Sequence, residues 1–334
     1  MLVALNEAHH LEAIRIALDQ VAVPDGWRME RILVDGGSTD GTARLARDMG
    51  FTRVLVLPGA SIPVCRNAAL ETATGDAFAF LDADCIPCRE WLEAASPYLA
   101  SAEPTLVGYP VMPPGSGNWV QSAWWAHWRH KNRHGGDAAS GAVETDAFRL
   151  VTTRNMLFNR PLLALAERFD EHLSTGEDTD FAFRASQRGA RILAVRALRV
   201  IHLGEPATLS QFFRQQLWHA NRKAYATILR SSGGKSGANA IYFSLAFLFA
   251  LLLAFASAVA AAVLRSVWPL AGCLPLAAIT LAPALWIAKR AGRAALVPQL
   301  AVLYFLYGLA RAIDLVGLAP RKPSWKAVYD KHGG

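Results

Sequence analysis

The sequence predicts an α/β fold with an open, mostly parallel sheet, followed by C-terminal transmembrane helices. Two observations lead to this prediction. In the N-terminal part, short apolar runs alternate with helical patterns, which is the rhythm of repeated β-α-β units. Towards the C-terminus, residues 240–264 and 267–288 contain no charged residue. Each of these two runs is long enough to cross a hydrocarbon core of about 30 Å.

The elements of the α/β part follow in order from the apolar runs. Strands are predicted at residues 2–5, 31–34, 53–57 and 77–81, with helices at residues 8–20, 42–49 and 63–72 between them. Such sheets bind ligands in the crevice beyond the carboxyl ends of their strands. The chain has no GxxxxGK[ST] or GxGxxG motif, which argues against a P-loop or a dinucleotide-binding fold.

Polar residues stand where these predicted strands end. The fourth strand leads into Asp82 and Asp84, and two unpaired acids at the end of a buried strand repel each other unless a cation lies beside them. Hard oxygen ligands at such a place suit Mg²⁺ or Mn²⁺. Asp35 ends the second strand before a turn in which Ser38 and its neighbours can cap the next helix. Arg66 lies at the start of a helix, where a guanidinium can meet a phosphate.

Together these motifs resemble the ordered signature of family 2 glycosyltransferases of the GT-A fold, a Rossmann-like fold. The segments concerned are Leu5-Asn6-Glu7, Val34 to Thr42, Arg66-Asn67 and Leu81-Asp82-Ala83-Asp84. The resemblance implies a nucleotide-sugar donor and a divalent cation. The residues it implies at the donor are Asn6, Glu7, Asp35, Ser38, Arg66 and Asp82. Asp84, with Asp82 beside it, would hold the Mg²⁺ or Mn²⁺ that bridges the two phosphates.

The second half of the soluble part supplies the acidic motif that this family requires, at residues 176–181. By the resemblance, Asp178 would be the general base that takes the proton from an acceptor hydroxyl, and Glu177 would position the acceptor. Such a direct displacement inverts the anomeric configuration. The alternative is an ordinary helix start whose acids are stabilised by the helix dipole. His202 ends a short predicted strand and is either structural or a further metal ligand.

Residues 211–222 resemble the Arg/Gln-rich, Trp-containing segment of membrane-attached members. The QxxRW motif of processive synthases is absent, since Arg214 stands where glutamine is expected and Leu217 where arginine is expected. This departure favours the addition of a single sugar over polymer extrusion. Arg214, Trp218 and the earlier Asn155 are the residues expected at the acceptor.

Residues 119–134 interleave tryptophans with basic residues. Three interpretations remain open at this point: a helix that packs its tryptophans on the core, an interfacial helix near a lipid-linked acceptor, and a site for single-stranded nucleic acid. The membrane runs make the nucleic-acid interpretation the least natural, and no nucleic-acid partner is expected.

Basic residues flank the apolar runs, and the chain's net charge of +7 fits this arrangement. Four precede the first run (Arg222, Lys223, Arg230 and Lys235), and three lie between the second and a shorter third run at residues 294–310 (Lys289, Arg290 and Arg293). The positive-inside rule therefore places the N-terminal part in the cytoplasm. The basic tail also favours the cytoplasmic side, but three full crossings would place it on the opposite side. The sequence is therefore compatible with either two or three membrane spans.

The four cysteines form no secreted disulfide pattern. Cys85-Ile86-Pro87-Cys88 is a lone CxxC with no second pair, so no zinc site of that type is expected.

With the apolar runs, the resemblance implies a membrane-anchored, inverting, metal-dependent glycosyltransferase of the bacterial inner membrane, in cell-envelope or exopolysaccharide assembly. The expected regions are residues 1–110 (nucleotide-sugar binding), 111–235 (acceptor and catalytic half with a juxtamembrane helix), 236–320 (transmembrane) and 321–334 (basic tail). The acceptor would be lipid-linked or otherwise membrane-associated. The alternatives are transfer to polyprenyl phosphate itself and a catalytically silent nucleotide-sugar-binding partner. The sequence does not specify the donor nucleotide and sugar, the identity of the acceptor, the linkage formed or the oligomeric state.

Overall fold

The computed structural model describes residues 1–115, 117–131, 141–144, 148, 151–173, 176–220 and 238–319. These residues divide into two compact units. The first contains residues 1–114 and the described part of 135–204, and the second contains the described parts of 115–134 and 205–322. Residues 117–131 therefore group with the C-terminal helices, whereas the sequence placed them in the catalytic half.

The strands of the first unit form two sheets. They are β1 (Leu2–Ala4), β2 (Ile32–Asp35), β3 (Arg53–Val56), β4 (Ala77–Asp82), β5 (Cys85–Pro87), β6 (Thr105–Gly108), β7 (Ala142–Glu144), β8 (Met156–Asn159), β9 (Arg191–Val195) and β10 (Val200–His202). Eight of them form one sheet in the order β3-β2-β1-β4-β8-β6-β9-β7, and β5 pairs with β10. The pairs on the β3 side and the β6–β9 pair are parallel, whereas β8 runs antiparallel to both its neighbours. This confirms the predicted mostly parallel sheet.

The helices are α1 (Ala8–Gln20), α2 (Thr42–Asp48), α3 (Ile62–Thr72), α4 (Trp91–Leu99), α5 (Trp119–Lys131), α6 (Arg160–Ala166), α7 (Glu177–Gln187), α8 (Leu209–His219), α9 (Ala238–Leu264), α10 (Leu274–Ala291) and α11 (Leu296–Leu315). Two 3₁₀ turns occupy Thr153–Asn155 and Trp268–Cys273.

The first unit has three layers, because the sheet is covered by helices on both faces. On one face, Leu11 and Ile14 of α1 pack in the same cluster as Trp91 of α4. On the other face, Ala69 of α3 and Phe181 of α7 join the aromatic side chains of β4 and β8. The strands β1 and β2 are buried along their whole length, as expected of central parallel strands, and their carboxyl ends open into the crevice described below.

The second unit contains three helices that are long and apolar enough to cross a membrane, Ile241–Leu264, Trp268–Ala291 with its leading 3₁₀ turn, and Leu296–Leu315. This agrees with the predicted C-terminal transmembrane region. Arg311 and Asp314 lie buried within the last of them, which is the run whose crossing the sequence left open.

The tryptophan-rich helix α5 packs into this second unit. Trp124 is buried and stacks on His127 with ring centroids 4.4 Å apart, and it meets Phe212 of α8 edge-on. His127 Nδ1 lies 2.7 Å from the hydroxyl of Tyr304 in α11. The core-packing interpretation is therefore correct for Trp124, while Trp119 remains 41% exposed. This aromatic contact explains why α5 groups with the C-terminal helices.

Candidate active site

A crevice at the carboxyl ends of β1 and β4 brings together several of the polar residues that the sequence singled out. Its walls are formed by Val3, Leu5, Glu7, Ile62, Arg66, Asp82, Ala83 and Asp84. The parallel order β2-β1-β4 places the turns after these strands side by side. Residues that are far apart in the chain therefore meet at one edge of the sheet, as predicted for this fold class.

Asp35 organises the turn after β2. Its Oδ1 accepts hydrogen bonds from the backbone N–H groups of Gly37 (2.7 Å) and Ser38 (2.6 Å). Asp35 is only 1% exposed, and its Oδ2 is buried and has no hydrogen-bond partner among the described residues. A buried carboxylate oxygen without a donor is costly, so this atom is suited to accept a hydrogen bond from a ligand.

Asn6 ties the end of β1 to the same turn. It adopts a left-handed backbone conformation with φ of 58°, and its N–H donates to Ser38 Oγ at 2.8 Å. Its side-chain oxygen accepts from the Thr39 N–H at 2.8 Å. Next to it, Glu7 is buried, and its Oε2 lies 2.8 Å from His10 Nδ1. Burial raises the pKa of Glu7, and the hydrogen bond with His10 offsets this increase only in part. Asn6 and Ser38 thus shape the turn at the crevice.

Asp84 and His202 form a buried pair at the end of β4. His202 Nε2 lies 2.9 Å from Asp84 Oδ2. Burial acts to raise the pKa of Asp84, but the charge and the hydrogen bond of His202 outweigh it and lower that pKa to about 2. Burial raises the pKa of Asp82, and the nearby guanidinium of Arg66 offsets this increase only in part. The pair therefore keeps Asp84 ionised, which is the form that binds a cation.

Cys85 completes a group of three side chains that could hold a metal ion. One ligand atom each from Asp84, Cys85 and His202 lies within 4.8 Å of the others, and all three residues are buried. The Cys85 Sγ–H donates to Asp84 Oδ1 at 3.8 Å. Burial, with the neighbouring carboxylates of Asp84 and Asp82, raises the pKa of the Cys85 thiol well above its usual value. The carboxylate oxygens suit Mg²⁺ or Mn²⁺, and the imidazole and thiol are softer ligands.

Gly204 is required for this arrangement, because a Cβ at this position would collide with Asp84 Oδ2 and lie 3.4 Å from His202 Nε2. We expect Gly204→Ala to displace the Asp84 carboxylate and to weaken Mn²⁺ binding by about 10- to 100-fold, the usual effect of disturbing groups around a metal. Calorimetric titration of Mn²⁺ into the full chain measures this. Gly115→Ala, where an added Cβ meets nothing within 4 Å, is the control. Unchanged Mn²⁺ affinity in Gly204→Ala would contradict the arrangement.

Arg66 joins the donor side of the crevice to the acidic motif. Its guanidinium forms a close ion pair with Glu177 Oε1, and its other Nη lies 3.7 Å from Asp82 Oδ1. The side chains of Arg66 and Glu177 are only 7% and 8% exposed. Arg66 was predicted to meet the donor's ribose or phosphates, and Glu177 was predicted to position the acceptor. In the structure, each neutralises the other.

Asn67 fixes the segment that precedes α7. Its Nδ2 donates to the carbonyl of Phe169 (3.0 Å), and its Oδ1 accepts from the N–H of the same residue (2.9 Å). Asp178 lies in the first turn of α7, half-buried, and its Oδ2 accepts from the N–H of Thr153 at 3.4 Å. Gly176 precedes the helix with a left-handed φ of 82°. The neighbouring α3 residues Arg66 and Asn67 thus hold α7 and the chain that leads to it, respectively.

The three residues expected at the acceptor are placed differently. Asn155 is fully buried: it accepts from Trp91 Nε1 and donates to the carbonyls of Tyr109 and Leu198. It therefore has a structural role, which corrects its assignment to the acceptor. Arg214 is exposed and Trp218 is half-buried, and both lie on α8 in the second unit. Their acceptor role stays a prediction.

Several residues of the site were not singled out from the sequence, namely His10, Asn67, Cys85 and Gly204. Asn67 was quoted only as part of a motif, and Cys85 only as half of a CxxC. Gly204 follows His202 by two positions, and the sequence holds no other signal that would have identified it. The pairing of β5 with β10 is what brings Cys85 and Gly204 to the site.

Comparison with known proteins finds similarity to glycosyltransferases. Residues 1–162 match the family described as glycosyl transferase family 2. The glycosyltransferase AglE of Haloferax volcanii is 31% identical over 108 residues, which is 31% of this chain and 35% of AglE. The chain thus aligns with about a third of this curated relative.

A solved structure shares the fold. The mannosyltransferase PcManGT from Pyrobaculum calidifontis, in complex with GDP-Man and Mn²⁺, is 19% identical, with 95% of this chain and 86% of that chain covered and a TM-score of 0.57. TarS 1–349 of S. aureus is 16% identical, with 95% and 90% covered and a TM-score of 0.48. The family match of residues 1–162 and the fold shared with PcManGT agree with each other.

Proposed function

We propose that this chain is an inverting, metal-dependent glycosyltransferase that moves a single sugar from a nucleotide-diphosphate sugar to a membrane-associated acceptor. The observation that carries the proposal is the crevice lined by Arg66, Asp82 and Asp84, where Asp84 pairs with His202 and Arg66 pairs with Glu177 at the acidic start of α7. The family match of residues 1–162 and the GDP-Man and Mn²⁺ bound to PcManGT support it.

The donor is recognised at the end of β2 and beside β4. Asp35 Oδ2, buried without a partner among the described residues, accepts a hydrogen bond from the base or the ribose. Asn6 and Ser38 hold that turn in place. Asp84, with His202 and Asp82 beside it, fits a Mg²⁺ or Mn²⁺ ion, because the carboxylates are ionisable hard ligands that face one crevice. When bound, such an ion neutralises charge that develops on the diphosphate leaving group.

Asp178 acts on the acceptor. It takes the proton of an acceptor hydroxyl while that oxygen attacks the anomeric carbon from the face opposite the leaving group. A new carbon–oxygen bond forms, the bond to the diphosphate breaks with its electron pair, and the configuration inverts. Glu177 is anchored by Arg66 and so fixes the first turn of α7, which supports a role in orienting the adjacent Asp178.

The second unit supports a membrane setting. Three helices that can span a bilayer, with basic residues around them in the sequence, support an acceptor that is lipid-linked or held at the membrane. We propose a multi-pass protein of a bacterial inner membrane with the catalytic domain in the cytoplasm and a role in cell-envelope or exopolysaccharide assembly.

A donor screen tests the proposal. The full chain in detergent, with a lipid extract as acceptor, is incubated with a panel of nucleotide-sugars and Mn²⁺ or Mg²⁺, and release of nucleoside diphosphate is measured. We expect release from one donor class, its loss on chelation of the metal, and its return when the metal is added back. Binding of a donor with no release under any condition would favour a catalytically silent partner and overturn the proposal.

A further inference from the structure

A groove of about 470 Å³ lies between α8 and α11, which both belong to the second unit. This volume is within the range of about 300 to 1,000 Å³ that is typical of small-molecule sites. Its walls are formed by Leu209, Ser210, Phe213, Ala301, Val302, Phe305 and Leu306. Of these seven side chains, only that of Ser210 is polar, and three of the large apolar ones are exposed. The α8–α11 groove is therefore suited to a hydrocarbon chain.

The position of the groove along α11 corresponds to the depth of lipid chains. The helix is long and apolar enough to cross a membrane, and basic residues stand between α10 and α11 in the sequence. Such residues mark the membrane surface at the start of a span. At about 1.5 Å per residue, Ala301 and Leu306 lie about 8 and 15 Å beyond Leu296. These depths are within one half of a hydrocarbon core of about 30 Å.

Arg214 supplies a positive charge beside the groove. It follows the groove residue Ser210 by four positions, so the two side chains leave the same face of α8. Arg214 is exposed and forms no ion pair with any residue that the structure describes. A guanidinium beside an apolar surface at a bilayer extends to the head groups, where it binds phosphate well. The chain and the phosphate of one lipid thus match the groove and Arg214.

We propose that the α8–α11 groove holds the hydrocarbon chain of the acceptor lipid, with the phosphate of that lipid at Arg214. This assignment rests on the proposed function and names the acceptor class, a long-chain lipid with a phosphate head group. A groove of this volume fits a segment of one chain, as in a polyprenyl phosphate, better than the paired chains of a bilayer phospholipid. The lipid-binding helix α8 is also the first helix after β10, the strand that ends in His202.

Photo-crosslinking tests the assignment on the unmodified chain. The full chain in detergent is labelled with a polyprenyl phosphate that carries a diazirine on its chain, and the labelled peptides are identified by mass spectrometry. We expect labels at the groove residues of α8 and α11. Unlabelled polyprenyl phosphate should remove them, whereas the same amount of phosphatidylglycerol should not.

Two variants separate the chain from the phosphate. Val302→Trp fills the groove, and each CH₂ kept out weakens binding by roughly fourfold, so exclusion of two gives a loss of more than about tenfold. This loss should be equal for polyprenyl phosphate and for the uncharged polyprenol. Arg214→Gln should weaken binding of polyprenyl phosphate by about 10- to 100-fold, which corresponds to one hydrogen bond to a charged group, and leave polyprenol binding unchanged. The control is Val263→Trp, at an exposed position of α9 outside the groove, which should bind both lipids normally.

Four results would overturn the assignment. They are labels mainly outside the groove, equal competition by phosphatidylglycerol, crosslinks through the groove to a second copy of the chain, and unchanged lipid binding in Val302→Trp. Equal loss of both lipids in Arg214→Gln would remove the phosphate contact from it. Lipid binding is measured without a donor. A donor screen in which no nucleoside diphosphate is released would therefore overturn the proposed function and leave the lipid-binding result standing.

Discussion

Asp178→Asn is expected to lower kcat for sugar transfer by about 100- to 10,000-fold, the range supplied by a general base. The amide keeps the size and polarity of the carboxylate but cannot take the proton of an acceptor hydroxyl. The affinity for the nucleotide-sugar should stay unchanged, because Asp35 and the Asp84–His202 pair remain intact. Steady-state transfer to the acceptor, with donor binding measured by calorimetry, separates the two quantities.

The matched control is Asp180→Asn in the same turn of α7. The Asp180 carboxylate accepts from Arg184 Nε at 2.7 Å and is thereby engaged with its own helix. The control should therefore retain kcat close to that of the unmodified chain. Near-normal kcat in Asp178→Asn would contradict the base assignment. It would point instead to an acceptor that is already ionised, such as a polyprenyl phosphate.

Arg66→Met is expected to lower the free energy of unfolding by about 3 to 5 kcal/mol, the usual penalty for removing one partner of a buried ion pair. The loss arises because the carboxylate of Glu177, only 8% exposed, is left without its cation. Asp82, at 3.7 Å, loses the same neighbour. Chemical denaturation of the full chain in detergent, followed by a probe attached to the first unit, measures the change.

A double-mutant cycle with Glu177 identifies the cause. Replacing both members by apolar residues, in Arg66→Met with Glu177→Met, should recover much of the stability, because a buried pair exchanged for apolar side chains is often neutral. Arg66→Lys should recover less, since an ammonium lacks the planar fork of a guanidinium. If Arg66→Met unfolds like the unmodified chain and loses only donor affinity, Arg66 belongs to the diphosphate site that the sequence predicted.

The alternation of strands and helices in the sequence predicted the N-terminal elements closely. The runs at residues 31–34 and 77–81 became Ile32–Asp35 and Ala77–Asp82, because central parallel strands need continuous apolar stretches that are visible in the sequence. Asp35, Asp82 and Asp84 followed from the same pattern, since the ends of such strands meet at one edge of the sheet.

The partners of these residues could not be predicted in the same way. The Arg66–Glu177 contact joins residues 111 positions apart, and no local pattern distinguishes a guanidinium that binds phosphate from one that binds a carboxylate. Asn155 lies in a polar segment that suggested contact with the acceptor, yet its side chain forms hydrogen bonds with Trp91 and Tyr109 inside the fold. Cys85 acquired its place from the register of β5 with β10, which depends on long-range pairing.

The aromatic packing of α5 has a consequence for dissecting this protein. The helix lies between β6 and β7 in the chain, but Val120, Ala123 and Trp124 are buried together with Phe212 and residues of α10 and α11. A fragment ended by a stop codon before residue 238 would lose those last two helices and uncover the apolar face of α5. Excising the catalytic portion as a water-soluble fragment therefore requires redesign of that face as well as a new C-terminus.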